Sequence, residues 1–151
     1  MRFTLAACAG LLGVCLGSWA VAQQSPGFDV IVTRQNGQDL VYAVTSDMKR
    51  AVAAKEEVKP YEDGAKAISS WAKQFPTLFP PGSDKGHDTK ALPAIWSDRA
   101  GFEKAAATLS DAAAKLAVYA KANDKVAFAD QFETMTKACA ACHRAYRAKM
   151  D

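Results

Sequence analysis

Histidine and cysteine are scarce in this chain of 151 residues, which holds two of the first and four of the second. Cys8 and Cys15 fall in an apolar N-terminal stretch that reads as a leader, so beyond it only Cys139 and Cys142 remain. That count excludes the disulfide framework of small secreted domains. Zinc is disfavoured for a similar reason. A structural site needs four ligands, and beyond the leader only His87 is left to join Cys139, Cys142 and His143. Net charge is low as well: the formal value is +3, and losing Arg2 with the leader lowers it by one. No strong basic field is left for nucleic acid or an anionic membrane. Nothing in the chain alternates strand with helix, which removes α/β architectures. No cluster of acid, base and nucleophile stands out, so the chain does not read as an enzyme.

The leader is residues 1–22. Arg2 supplies a short positive region, an apolar stretch follows from Phe3 to Val21, and Ala20-Val21-Ala22 forms a small-x-small cleavage site before Gln23. A membrane anchor fits less well, because Gly10, Gly13, Gly17 and Ser18 interrupt the run. Leu5-Ala6-Ala7-Cys8 resembles a lipoprotein box, but it lies too early to leave an apolar segment ahead of it. Residues 23–151 then form one exported domain with a single core, with no stable membrane insertion once the leader is cleaved.

Four helical stretches are expected. From Asp29 to about Lys55, Ile31, Arg34, Gln38, Val41, Thr45, Met48 and Val52 recur at steps of three and four. Gly37 is costly inside a helix and marks close approach by a flat ligand or another helix. Pro60 suits the first position of a second helix carrying Tyr61, Ala65, Ile68, Ala72 and Phe75, with Trp71 beside Ala72, and Pro76 ends it. Residues 76–93 hold four prolines and two glycines and read as a long ordered crossover loop, where His87 sits in solvent. Ser97 or Asp98 caps a third helix along Phe102, Ala106, Leu109, Ala113, Leu116 and Ala120. Asn123-Asp124 makes a short turn into an antiparallel fourth helix. The fold class expected is all-α, an antiparallel four-helix bundle.

Along that fourth helix, Phe128, Phe132 and Met135 lead into Cys139-Ala140-Ala141-Cys142-His143. Two cysteines three apart followed at once by histidine make the C-x-x-C-H pattern of covalent c-type haem attachment. On a helix, positions i, i+3 and i+4 share a face, so one haem can take both sulfurs at its edge and the imidazole at its iron. A thioredoxin-like dithiol would need a βαβ context that is missing. The motif continues the core-facing stripe, which places the cofactor inside the bundle. Met135, two turns before His143 on the same helix, reads as core.

A haem motif at the C-terminal end of a four-helix bundle resembles the class II c-type cytochromes, the cytochrome c′ family, and within it the methionine-ligated low-spin branch. The resemblance runs from about Asp29 onward. It rests on the stretch from Cys139 to Arg147, on Arg34-Gln35 opening the first helix, and on Pro93-Ala94-Ile95-Trp96 leading to Phe102. It implies one covalently attached haem c held by Cys139 and Cys142, with His143 as the iron's proximal ligand. It implies that Arg34 pairs with a haem propionate and that Arg147, one turn past His143, tunes the imidazole's surroundings. Where low-spin members carry an iron-binding methionine and gas-binding members an apolar residue, this chain has Gln38. Met48 lies roughly 15 Å farther along the helix and cannot replace that ligand.

The resemblance implies a periplasmic monohaem electron-transfer protein serving redox partner proteins. The alternative is a cytochrome c′ that binds or scavenges NO or CO at an open sixth position. Family members often dimerise through their first two helices, which leaves monomer and homodimer both open.

Overall fold

The computed structural model describes residues 29–149. The expected leader, with Cys8 and Cys15, lies outside them, as does Met150. Asp29 starts the first helix, α1 (Val30–Ala54), because its carboxylate accepts from the Ile31 and Val32 N–H groups at 2.8 and 3.2 Å. Lys55 ends it in the left-handed conformation, φ 55°. Pro60 falls within a 3₁₀ turn, Lys59–Tyr61, that leads into α2 (Glu62–Gln74). Pro76 sits in a second such turn, Phe75–Leu78, so the segment after α2 opens on a tight turn rather than irregular chain.

A one-turn helix, α3 (Ala94–Ser97), precedes α4 (Arg99–Lys121). Of the two cap residues the sequence offered, Asp98 takes the role, accepting from Gly101 N–H at 3.2 Å. Asp124 does the same for α5 (Lys125–Tyr146), accepting from Ala127 N–H at 3.0 Å. The four long helices form the bundle. Among the described residues no helix is long and apolar enough to cross a membrane.

α4 is the spine. Its buried alanines, Ala106, Ala112, Ala113, Ala117 and Ala120, let neighbours approach closely, and it packs extensively on α2 and α5. α1 meets α2 and α5 only lightly. One core cluster joins Met48, Ile68, Leu116, Phe128 and Met135. Each such side chain contributes about 1.5–3 kcal/mol on burial. A second cluster of Phe79, Ile95, Phe102 and Tyr146 packs against Cys142 at the other end. The crossover is tied down there: Leu92 N–H donates to Tyr146 O at 3.0 Å, and Ala148 N–H donates to Lys90 O at 2.8 Å.

Candidate haem site

The α5 spacing puts Cys139, Cys142 and His143 on one inward face, all half-buried, while Ala140 and Ala141 face solvent. Neither cysteine is in a disulfide. Burial pushes each of them up, with the neighbouring Cys139 adding to the effect at Cys142 and Arg147 opposing it there. Both stay protonated at neutral pH, and net addition of each S–H across a haem vinyl group would give the thioether. Burial pushes the His143 imidazole down, and Arg147 pushes it further the same way. A neutral imidazole has a nitrogen lone pair free for iron.

α1 supplies the facing wall. Arg34 is only 3% exposed, and its guanidinium is committed to the crossover. Nη1 donates to Leu78 O and Ser83 Oγ, both at 3.1 Å, and Nη2 donates to Ser83 O at 2.7 Å and Thr89 Oγ1 at 2.8 Å. It also lies over the Phe79 ring, 4.2 Å from the centroid. All four acceptors are neutral; burial pushes the guanidinium down, and the Asp29 charge opposes this in part. Of its five N–H groups, the one on Nε makes no hydrogen bond among the described residues.

Gln35 Nε2 donates to His87 O at 2.8 Å. Exposed His87 pairs through Nε2 with Asp29 Oδ2 at 2.7 Å, which ties it to the start of α1. Gln38 is half-buried. Met48 and Met135 are fully buried in the main core.

Sequence reasoning marked Gly37 as a place of close approach, and the structure supplies the neighbour: Trp71 of α2. A Cβ on Gly37 would overlap three atoms of the indole ring. The buried Trp71 Nε1 has no hydrogen-bond partner among the described residues. Nothing in the periodicity pointed to Trp71, which stands off the α2 stripe. Ser83 and Thr89 were missed too, being small polar residues of a loop. Between α1 and α5 opens a cleft of about 630 Å³, bounded by Tyr42, Thr45 and Lys49 on one side and Phe132, Glu133 and Thr136 on the other. Thr136 stands one turn before Cys139. Two half-buried cysteines outside any disulfide, a neutral imidazole and an unpaired buried donor suit a haem group, whereas the cleft is lined by none of Cys139, Cys142, His143, Arg34 and Gln38.

Comparison with known proteins agrees. A family model described as Cytochrome C' matches residues 29–147. The chain is 34% identical to cytochrome c′ of Rubrivivax gelatinosus over 131 residues, covering 83% of this chain and 98% of that protein. Its structure superposes on the crystal structure of cytochrome c′ from Thermochromatium tepidum with a TM-score of 0.74 at 27% identity, covering 80% of this chain and 95% of that one. A nitric oxide complex of a cytochrome c prime mutant from Alcaligenes xylosoxidans gives 0.73 at 27% identity, covering 81% and 95%. The chain belongs to the cytochrome c′ family and carries one covalently attached haem c.

Proposed function

We propose that this protein is an electron carrier of the periplasm, delivered there by the leader at residues 1–22. Haem iron supplies the one-electron chemistry. Cys139 and Cys142 hold the group through thioethers, His143 binds its iron, and Arg34 Nε–H is available to a propionate. The reading is carried by the exposure of the attachment turn. Ala140 and Ala141 face solvent, and from Thr134 to Lys149 the chain has four basic residues, Lys137, Arg144, Arg147 and Lys149, and no acidic one. Such a turn suits approach by an acidic redox protein, with steering that weakens as salt rises. Non-enzymatic transfer between proteins needs nothing more of the chain.

A second reading, gas binding at an open sixth position, is favoured by one observation. Gln38 stands where a methionine ligand is expected, and Met48 and Met135 are core residues with no exposure. The nitric oxide complex of the Alcaligenes protein is consistent with such a role. The two readings are compatible, since an open iron can still exchange electrons. Absorption spectra of the oxidised and reduced protein with and without carbon monoxide test both. The expected outcome is reversible one-electron reduction to a largely high-spin ferrous form that binds carbon monoxide. A low-spin ferrous form that refuses carbon monoxide removes the gas reading. Failure to exchange electrons reversibly removes the carrier reading.

A further inference from the structure

We propose that the indole N–H of Trp71 is a hydrogen-bond donor to a propionate carboxylate of the haem group. The inference rests on the family reading that a haem is fixed to α5 inside the bundle. Its evidence is the Trp71 Nε1 atom, which is buried and has no partner among the described residues. A buried donor without an acceptor is a net cost, and native proteins keep few of them.

The ring is held in place from two sides. The bare backbone of Gly37 admits it, and a Cβ there would overlap the indole. Phe75 packs against it with centroids 5.6 Å apart. From Trp71 an aromatic row runs through Phe75 to Phe79, whose centroid lies 5.0 Å from that of Phe75, and Phe79 carries the Arg34 guanidinium on its face. Indole and guanidinium therefore stand at two ends of one row. Gly37 is one turn beyond Arg34 on the same face of α1. Arg34 cannot serve the whole group, because four of its N–H groups already hold Leu78, Ser83 and Thr89.

Among the described residues none offers an acceptor to Trp71, so the acceptor is assigned to the haem. Haem brings two kinds of oxygen, its carboxylates and any molecule bound to iron. An ionised carboxylate is the stronger acceptor of the two. Bonding to the ionised form lowers the propionate's pKa.

The test uses the matured holoprotein and its Trp71→Phe and Gly37→Ala variants. The first keeps aromatic bulk and removes the N–H; the second keeps the N–H and pushes the ring away. In the diamagnetic carbon monoxide complex, the Trp71 indole proton is expected to exchange slowly with solvent. Trp96, whose N–H donates to Pro80 O at 3.2 Å, is the internal reference. Both variants are expected to move the pH-linked step in the midpoint potential to higher pH. An unchanged step in both, with a freely exchanging Trp71 proton, overturns the proposal and leaves Trp71 as packing bulk. A shifted carbon monoxide stretch with an unchanged pH step also overturns it, by assigning the donor to the iron-bound molecule. Loss of haem to acid acetone would instead break the family reading of the attachment, which is a separate failure.

Discussion

Tyr146 shows how much a single contact can set. Its hydroxyl donates to Asp98 Oδ2 at 2.7 Å, and this bond chiefly, with burial and the carboxylate charge, pushes the phenol up to about 12. Folding therefore favours the protonated phenol. The contribution is full below the unfolded phenol's value of about 10 and is lost as pH rises from there through about 12. Urea unfolding across that range should show stability falling, and Tyr146→Phe should flatten the fall. Gly101 leaves room for the pair, since a Cβ there would overlap both the Asp98 carboxylate and the Tyr146 hydroxyl. Gly101→Ala should cost about 1–3 kcal/mol in the same assay. Neither effect was legible in the sequence, where Asp98 read only as a cap and Tyr146 only as part of the stretch from Cys139 to Arg147. The candidate haem residues Cys139, Cys142 and His143 were legible because haem attachment fixes such a spacing on one helix. Arg34 was legible as a charge on an apolar stripe. Its partners were not, because they lie 44 to 55 positions away and two of them are backbone carbonyls.

At the scale of elements, the four long helices followed from period and caps, while α3 was missed and the crossover followed only in outline. Prolines and glycines announced a loop after α2. They could not announce that residues 78–89 wrap a buried guanidinium, nor that residues 90–92 lie along the end of α5. Arg34→Leu tests the first of these. Hydrogen bonds to a charged group contribute about 1.5–3 kcal/mol each, and leaving Ser83 O and Leu78 O unpaired adds its own cost. The variant should lose about 3 kcal/mol or more in denaturant unfolding. Hydrogen exchange should speed up within residues 78–89 first, and the midpoint potential should move as well. Unchanged exchange there would show that the prolines and glycines of the crossover hold it without Arg34.

For the whole molecule, each helix carries an apolar stripe, yet the stripes are not used alike. Period reports which face is apolar and says nothing of how tightly it is covered. α4 is covered on both sides, whereas on α1 Val41, Val44 and Val52 are only partly buried against the core. The cleft beside α5 runs along this part of α1. A haem fixed at the turn of residues 139–143 would stand against the end of α1 that carries Arg34 and Gln38, beyond the cleft, so α1 should depend on it for docking and α4 should not. Replacing both attachment cysteines, Cys139→Ser and Cys142→Ser, and stripping any residual haem tests this dependence. Amides of α1 should then exchange about tenfold faster or more, the equivalent of about 1.4 kcal/mol, while those of α4 hold their protection. Circular dichroism should show the helices of the spine retained. Equal loss of protection in α1 and α4 would mean that the bundle opens as one unit, and that its weak side is set by the whole core and not by the haem.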